Sequence, residues 1–517
     1  MKVAVRTDAS PTIGTGHLMR CLTLADGLRA DGAEITFLCA PSAAPWAKQV
    51  EGRGHKLRLL DVRGEGSGDG DLRHSSWLPW GQPADAEATM SALAEEADWL
   101  IVDHYGLDAR WESRVRTVAS KIMAIDDLAD RRHDCDLLLD HNPQVADRYD
   151  SLLPPEADRL TGPRYALLRP EFAAARGAAR GGAVERIVVF MSGTDPEGTT
   201  LVVLSALSEP DLKDIDLDVV IGGASSHLAA VKVAAEGRGH ATVHVDTRDI
   251  AGLFARAGLA IGSGGVAALE RCCVGVPSIT IAIADNQRPG LEVLNKRRAV
   301  AHLGDLTAVT AETISSMIRR LRASPEDVRA LGAAAASVTD GQGTSRVVAA
   351  IKGDAGGISV RRATMADAEI LHRWRNDDAV RAASFSSDPI PYADHCRWLE
   401  RALVDPERIL LIGTLSKAPV GTVRYDIAAD RATVSIVVAP KAQGRGVGAA
   451  LLEAGEAYLG NVAQVTQLDA EIKPDNGASL RLFARAGFAP APSGTSDRML
   501  YVRRLPARFA QMSSADV

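Results

Sequence analysis

The strongest constraint on the fold is an alternation of short apolar runs with helical patterns, which occurs twice along the first two thirds of the chain. The runs KVAVR, ITFLC and WLIV alternate with amphipathic segments such as GHLMRCLTLADGLRADG. The pattern then restarts with RIVVF, DLDVVIGG, LAIGSGG and PSITIAI. Such alternation is typical of parallel α/β sheets with helices on their faces. The sequence therefore predicts two Rossmann-like domains in tandem.

The pattern changes near Ile358, after the glycine-rich stretch GDAGG. A strand and a helix over Leu371–Val380 precede three antiparallel-looking strands, RILLIGTL, APVGTVRYDI and ATVSIVVAP, so a third domain with a mixed sheet is expected. A chain of 517 residues accommodates three domains. The predicted ranges are 1–165 and 166–352 for the Rossmann-like domains, 353–357 for a linker, 358–505 for the third domain and 506–517 for a flexible tail. The apolar-free stretch Arg63–Asp71 is expected to be an exposed loop.

Charge and cysteine content favour small-molecule chemistry. The 59 basic and 66 acidic residues leave a net charge of -7 without long same-sign runs, which argues against a nucleic-acid surface. The six cysteines lack CxxC spacing, which indicates reduced thiols. No signal-peptide pattern or run of 18 apolar residues occurs. We expect a cytoplasmic protein without nucleic-acid or membrane partners, and the sequence leaves its oligomeric state open.

The first strand-to-helix turn is a candidate catalytic site. Apolar residues recur at helical spacing at Leu18, Leu22, Ala25 and Leu28. Gly14, Gly16 and His17 therefore lie at a helix N-terminus, where glycines allow a ligand to approach backbone N–H groups. The positive end of the helix disfavours protonation of His17, as a general base requires. The alternative is a histidine that merely caps the helix.

Other polar residues follow strands where open α/β sheets bind ligands. In the first domain Asp103 and Tyr105 follow WLIV, and in the second the candidates for phosphate binding are Gly193, Thr194 and Asp195, with Ser192 before them. Simple structural turns are the alternative at both places.

The segment from Ile261 to Gln287 carries the richest pattern of the second domain. Its candidate ligand-binding residues are Ser263, Gly264 and Gly265 at a helix start, Glu270 within the helix, and Asn286 and Gln287 after the next strand. A diphosphate at the helix start and a ribose on the Glu270 carboxylate would fit this order. Cys272 and Cys273 are interpreted as packing residues. The triplet Asp134–Asp136 is interpreted as a solvated loop, not a metal site.

These motifs together resemble the UDP-sugar hydrolases of the pseudaminic acid pathway, relatives of the GT-B glycosyltransferases. The resemblance is carried by RTDAS with IGTGH, DHYG, IDD at Ile125–Asp127, MSGTD and ADNQ, with Ser192 where the family usually has glycine. It implies a GT-B-like pair of Rossmann-like domains and metal-independent hydrolysis of UDP-2,4-diacetamido-2,4,6-trideoxy-β-L-altropyranose to UDP and free sugar. His17 is carried over as the base, with Tyr105 and Asn286 as its catalytic neighbours.

The third domain has a glycine loop between a strand and a helix. The stretch Gln443, Gly444, Arg445, Gly446, Val447 and Gly448 follows a strand containing Val437 and Val438. Successive N–H groups there suit a pyrophosphate, and the strand can pair with an extended pantetheine arm. With Asn476, Ser479 and the later AGF, this arrangement resembles the GNAT acetyltransferases, which implies acetyl-CoA as co-substrate.

The front half of this domain resembles the acetyltransferase that modifies a UDP-4-amino sugar in the same pathway. The residues carrying this likeness are Trp374, Arg375, Asn376 and His395, with Asp388–Pro389 and Trp398. The alternative is that the tryptophans are core residues and Arg375 a surface charge. Phe483 stands where many relatives have an acidic tyrosine, and Ser435 offers no carboxylate base, so no acid or base is assigned.

Two functions remain open at this point. The chain is either a bifunctional acetyltransferase and hydrolase acting on consecutive UDP-sugars, or a GT-B glycosyltransferase or other single enzyme with a non-catalytic acetyl-CoA-binding module. A related nonulosonic acid pathway would require similar residues, so the sugar stereochemistry also remains open.

Overall fold

The computed structural model describes residues 1–10, 12–62, 70–93, 95–143, 146–178, 182–354, 357–415, 418–463, 465–492 and 497–505. Most of the predicted loop Arg63–Asp71, part of the 353–357 linker and the predicted tail 506–517 lie outside these residues. Within the described residues, no helix is both long and apolar enough to cross a membrane.

The first region is a parallel sheet flanked by helices. Its strands are β1 Lys2–Thr7, β2 Glu34–Cys39, β3 Lys56–Leu59, β4 Ala97–Asp103, β5 Ala119–Ile125 and β6 Leu137–Asp140. Its helices are α1 Gly16–Ala30, α2 Ala47–Glu51, α3 Gly81–Ala92 and α4 Ala109–Val115. Within the sheet these six strands follow the order β3-β2-β1-β4-β5-β6. The central strand β1 is buried from Val3 to Thr7, because helices cover both faces of a parallel sheet.

The second region repeats this design. Strand β7 Asp158–Thr161 and helix α5 Pro170–Ala174 precede it. Its strands are β8 Arg186–Phe190, β9 Asp216–Ile221, β10 Ala241–Val245, β11 Leu259–Ser263, β12 Ser278–Ala282 and β13 Ala301–Asp305, in the order β10-β9-β8-β11-β12-β13. The helices are α6 Thr199–Ala206, α7 Leu228–Arg238, α8 Ile250–Arg256, α9 Val266–Val274, α10 Arg288–Lys296, α11 Ala311–Ala323, α12 Pro325–Ala336 and α13 Gly343–Lys352.

The third region has a mixed sheet. Its strands are β14 Ser359–Arg362, β15 Arg408–Leu415, β16 Ala418–Ala428, β17 Arg431–Val438, β18 Gln467–Ile472, β19 Ala489–Ala491 and β20 Met499–Arg504, in the order β14-β15-β16-β17-β18-β20-β19. The helices are α14 Ala368–Arg375, α15 Asp378–Ala383, α16 Tyr392–Val404, α17 Val447–Val462 and α18 Gly477–Arg485. Only β17 and β18 pair in parallel. The predicted fold class, two Rossmann-like sheets followed by a mixed sheet, is confirmed.

The chain forms two compact units. The first contains 1–155 and 163–345, and thus both parallel sheets, as a GT-B-like pair requires. The second contains 346–517 and the short segment 156–162. Within the second unit, the buried Asp158 carboxylate accepts hydrogen bonds from Thr414 Oγ1 (2.5 Å) and Ser359 Oγ (3.4 Å). The sequence did not suggest that this early segment packs with the third domain.

Two local predictions were wrong. The single helix expected over Leu371–Val380 is two helices, because the Asp377 carboxylate accepts from the N–H groups of Ala379 and Val380 and so starts α15. The triplet at Asp134–Asp136 is not a solvated loop, since Asp136 is buried and both carboxylates pair with Arg116.

Candidate functional site

His17 and Asp103 form a buried pair at the carboxyl edge of the first sheet. His17 lies in the first turn of α1, and Asp103 is the last residue of β4. His17 Nδ1 lies 2.6 Å from Asp103 Oδ1. Because an ionised carboxylate only accepts hydrogen bonds, Nδ1 is the donor in this contact, and Nε2 is the ring nitrogen left to exchange a proton with a ligand or water. The pair has the orientation that a general base requires.

Arg20, one turn further along α1, fixes the same carboxylate. Its Nε and Nη2 donate to the two Asp103 oxygens, both at 2.6 Å. Burial alone would raise the pKa of Asp103, but Arg20 and His17 outweigh it and hold that pKa far below the usual range. The sequence placed Asp103 among substrate-binding residues. Its carboxylate is instead fully buried and occupied by Arg20 and His17, so it positions the histidine.

Aromatic rings surround the imidazole. The Tyr105 ring meets His17 edge-on at 4.6 Å between centroids, and Trp77 stacks on Tyr105 at 5.4 Å. The Tyr105 hydroxyl donates to Asp127, whose other oxygen accepts from Arg20 at 3.1 Å. Burial and Asp127 raise the pKa of Tyr105 well above its usual value, so the phenol keeps its proton.

The strand order explains why these side chains meet. From the adjacent strands β1 and β4 the sheet continues in opposite directions, through β2 to one side and through β5 to the other. The connections leaving β1 and β4 therefore separate, which opens a crevice at the carboxyl ends of the strands. His17 follows β1 and Asp103 ends β4, so both lie at this switch point.

The second sheet has its own switch point between β8 and β11. Ser263 ends β11, and Gly265 precedes α9. Gly265 has φ 68° and ψ -150°, a backbone conformation that glycine adopts easily and other residues rarely adopt. No side chain among the described residues caps this helix, and because α9 starts directly after β11 its N-terminus lies at the crevice. Gln287 Oε1 accepts from Gly264 N (3.1 Å) and Ile283 N (3.2 Å). Gln287, predicted to bind ligand, thus supports the turn.

A cleft connects the two sets of residues. Its lining includes Asp127 and Asn142 from the first sheet's edge and Gly265, Asn286 and Gln287 from the second. Asn286 is exposed, as a ligand-contacting amide needs to be. Glu270, within α9, is half-buried, and burial raises its pKa to about 7. Asp127, which lines this cleft, also bonds Tyr105 and Arg20, the two residues that contact His17.

The turn after β8 is largely structural. The Asp195 carboxylate is buried and accepts from Thr199 N and Thr200 N at 3.0 Å, which caps the start of α6. Ser192 Oγ accepts from Asp195 N at 2.8 Å. Gly193 and Thr194 lie between these bonds, so they remain the candidates for phosphate contact there.

The glycine loop of the third domain has the predicted geometry. Gly444 and Gly446 have φ of 74° and 79°, and a Cβ on either would meet open space. Gly446 precedes α17, which has no side-chain cap. Strand β17 pairs with β18 only from Arg431 to Thr433. Its end, including Val437 and Val438, is therefore free of β18 on that side and can pair with an extended ligand.

Several of the other predicted acetyl-CoA residues have structural contacts. Asn476 accepts from Ser479 N at 3.1 Å and caps α18. Gln443 Nε2 donates to the Val438 carbonyl at 3.3 Å. The Arg445 side chain is exposed, and Val447 and Gly448 begin α17, where Gly448 packs closely against Val438.

The residues predicted to bind the amino-sugar substrate of the acetyltransferase mostly make hydrogen bonds to the segment between α15 and α16. The Asn376 side chain makes two hydrogen bonds to the backbone of Ile390: its Oδ1 accepts from Ile390 N at 2.8 Å, and its Nδ2 donates to Ile390 O at 2.9 Å. Arg375 Nη2 donates to the Ser386 carbonyl at 2.8 Å. Trp374 is buried. His395 is buried, its Nε2 has no hydrogen-bond partner, and burial lowers its pKa. Among the described residues, Arg375 Nη1 likewise has no hydrogen-bond partner, so His395 and Arg375 each keep a buried polar atom unused.

Phe483 packs in the core, at 5.0 Å from Phe488 between ring centroids. It offers no proton to a leaving thiolate. Across the residues that the structure describes, no group of three or more His, Cys, Asp or Glu side chains is arranged to hold a metal ion.

Sequence reasoning missed Arg20, Trp77 and the role of Asp127. Arg20 could have been found, since it lies three residues after His17 and so on the same helix face. Trp77 belongs to an irregular segment without periodicity, and only the tertiary structure brings it to His17.

Comparisons with known proteins agree with this division. Residues 369–488 match the family model of the Acetyltransferase (GNAT) family, so the C-terminal region carries a GNAT domain. Spore coat polysaccharide biosynthesis protein SpsG of Bacillus subtilis is 31% identical over 193 residues, 37% of this chain and 57% of that protein. The match therefore spans little more than half of SpsG.

Two further relatives extend the comparison. UDP-2,4-diacetamido-2,4,6-trideoxy-beta-L-altropyranose hydrolase of Campylobacter jejuni is 24% identical over 256 residues, 49% of this chain and 81% of that protein. The uncharacterized protein MJ1062 of Methanocaldococcus jannaschii is 21% identical over 533 residues, 97% of this chain and 99% of its own length. The chain therefore combines a region homologous to SpsG and to this hydrolase with a GNAT domain.

Proposed function

We propose that this chain is a bifunctional enzyme of pseudaminic acid biosynthesis. Its GNAT domain would transfer acetyl from acetyl-CoA to the 4-amino group of a UDP-amino sugar. Its N-terminal unit would hydrolyse the resulting UDP-2,4-diacetamido-2,4,6-trideoxy-β-L-altropyranose to UDP and free sugar. Homology to the Campylobacter jejuni hydrolase and the presence of a GNAT domain support this pairing.

The His17–Asp103 pair carries the hydrolase proposal. With Nδ1–H donating to Asp103, His17 Nε2 takes a proton from water as the water oxygen bonds the anomeric carbon. The bond between that carbon and the diphosphate oxygen breaks, and its electron pair leaves with UDP. Arg20 keeps Asp103 ionised, so the imidazolium formed in this step has a fixed counter-charge.

The second sheet supplies the leaving-group site. The uncapped N–H groups at the start of α9 would bind the diphosphate and stabilise its developing charge. Glu270, further along α9, would accept from ribose hydroxyls. Asn286, exposed in the cleft with Asp127, would contact the sugar between the two sheets.

Acetyl transfer would take place on the third sheet. The N–H groups around Gly444–Gly446 would bind the pyrophosphate of acetyl-CoA, and β17 beyond Thr433 would pair with its pantetheine arm. The substrate amine bonds the acetyl carbonyl carbon, the carbon–sulfur bond breaks, and the thiolate leaves. Since Phe483 carries no hydroxyl, the proton released by the amine would reach the thiolate through water.

Incubation of the full chain with a UDP-4-amino sugar, with and without acetyl-CoA, tests both activities by mass spectrometry. We expect the N-acetylated sugar to appear first and UDP later. His17→Asn should lower UDP release by about 10³-fold and leave acetylation unchanged. Gly446→Glu, which sets a carboxylate against the pyrophosphate, should abolish acetylation, and when it is given the already acetylated UDP-diacetamido sugar it should release UDP at the wild-type rate. Because each variant retains one activity, that activity reports a folded chain. A substrate that is never acetylated, or a His17→Asn protein that releases UDP normally, would refute the corresponding half.

A further inference from the structure

Arg271 is a buried arginine beneath the turn that begins α9. Its side chain is 1% exposed. Nη2 donates to the Ser263 carbonyl, but Nε and Nη1 have no hydrogen-bond partner among the residues that the structure describes. A guanidinium that loses water without gaining an anion destabilises a folded protein. Its place at this position therefore calls for a functional explanation.

The residues around the Arg271 guanidinium, Gly262 and Ser263, lie at the end of β11, at the switch point of the second sheet. A Cβ on Gly262 would lie 2.5 Å from both Arg271 Nη1 and the Phe190 carbonyl oxygen, so glycine at this position leaves the space against β11 in which the guanidinium lies. Ser263, which accepts its hydrogen bond, immediately precedes Gly264 and Gly265. The positive charge thus lies under the same turn whose uncapped N–H groups face the crevice.

The neighbouring acidic residue does not neutralise this charge. Burial raises the pKa of Glu270 to about 7, so near neutral pH much of that carboxyl is protonated. Burial lowers the pKa of Arg271 to about 10, which still leaves the guanidinium charged. Two independent features, a free helix N-terminus and an unpaired buried cation, therefore favour an anion at the same turn.

We propose that Arg271 is a positioning residue for the diphosphate of the nucleotide. It holds the Ser263–Gly265 turn through the Ser263 carbonyl, and its charge stabilises the bound diphosphate from beneath the turn. The inference rests on the proposed UDP site and adds to it a residue that the glycine pattern did not suggest. The nucleotide supplies the anion that the free protein lacks.

Isothermal titration calorimetry of the full chain with uridine, UMP and UDP tests this role. Arg271→Gln, which keeps a polar side chain but carries no charge, should weaken UDP binding by about tenfold or more. The loss should shrink for UMP and be smallest for uridine, because it follows the phosphate charge. Arg271→Lys should retain most of the UDP affinity.

Arg238 provides a matched control. It is buried in the same region, but its guanidinium donates to the carbonyls of Leu207, Leu212 and Ile215 at 2.8 Å. Arg238→Met should therefore lower Tm without changing UDP affinity. Arg271→Met should leave Tm equal or raise it while weakening UDP binding, since it removes an unpaired charge.

The outcomes are distinct. Equal losses for uridine, UMP and UDP, or an unchanged UDP affinity in Arg271→Gln, would overturn the role of Arg271 while the proposed function stands. A wild-type protein that does not bind UDP would overturn the proposed nucleotide site itself, and the role of Arg271 with it.

Discussion

The two switch points of the N-terminal unit differ in how their charges are arranged. At the first, Asp103 bonds Arg20 and His17, and Arg20 and Tyr105 both reach Asp127. At the second, the turn presents backbone N–H groups above an arginine with unpaired donors. At the first switch point each of these charged side chains is paired within the protein. At the second, among the described residues, the Arg271 guanidinium has two nitrogens without a hydrogen-bond acceptor.

This difference matches two chemical tasks. A proton-transfer group must have a fixed tautomer and orientation before substrate arrives, which paired charges provide. A phosphate site can remain incomplete, because the ligand brings the missing charge. The comparison predicts that changes at the first switch point affect turnover most and that changes at the second affect binding.

The largest effect is expected at Asp103. Asp103→Asn should reduce kcat for UDP release by about 10²- to 10³-fold, because His17 loses the acceptor that fixes its tautomer. UDP affinity should change little. Steady-state kinetics and calorimetry on the same preparation measure the two quantities.

Asp85 is the control for this prediction. It is equally buried and accepts from Arg6 Nε (3.0 Å) and Nη2 (2.6 Å). Asp85→Asn should destabilise the protein by about 3 kcal/mol, as loss of a buried pair does, yet leave kcat nearly unchanged. If both variants lose turnover equally, Asp103 contributes only to stability.

An intermediate effect is expected at Gly265. Gly265→Ala forces a side chain into a backbone conformation reserved for glycine and should weaken UDP binding by about tenfold, with kcat at saturation nearly retained. Gly239 is a close match, with φ 72° and ψ 172° at the end of α7 and open space at its Cβ position. Gly239→Ala should show a similar loss in Tm with normal UDP affinity. A kcat defect confined to Gly265→Ala would contradict the division between the two sites.

The smallest effect concerns the pH dependence of stability. The pKa of Glu270 is raised to about 7 in the folded protein, so the folded state holds a proton that the unfolded state releases above about pH 4.5. This carboxyl therefore lowers stability as pH rises from about 4.5 to 7. Glu270→Gln should remove that slope, which for the full pKa shift amounts to about 3 kcal/mol at pH 7 and is reduced by solvent screening of the half-buried carboxyl. Urea unfolding of both proteins between pH 5 and 8 measures it, and parallel curves would contradict the shift.

Much of the fold was readable from local patterns. Apolar runs too short for helices, followed by amphipathic segments, predicted the parallel sheets, and strands RILLIGTL, APVGTVRYDI and ATVSIVVAP appear as β15, β16 and β17. Leu18, Leu22, Ala25 and Leu28 are all buried in α1 as predicted. These features depend on residues close in sequence, so periodicity reports them directly.

The site was only partly readable. Glycine turns predicted the places where a ligand can approach, but not which polar side chains face it. Asp195, Gln287 and Asn476 resemble ligand-binding residues in sequence, whereas their side-chain oxygens accept backbone N–H groups. A carboxylate or amide near a turn serves equally well as a cap or as a ligand contact, and only the tertiary structure distinguishes these roles.

By itself, then, the sequence determined the two parallel sheets, the third mixed domain and the turns where His17, Gly265 and Gly446 lie, because each depends on short-range pattern and backbone freedom. The tertiary structure decided that Asp103 and Arg20 orient His17, that Asp158 packs with the third sheet, and that Arg271 is buried without an anion. The His17–Asp103 and Asp158–Thr414 contacts join residues far apart in sequence. They depend on strand order and burial, which no local pattern specifies.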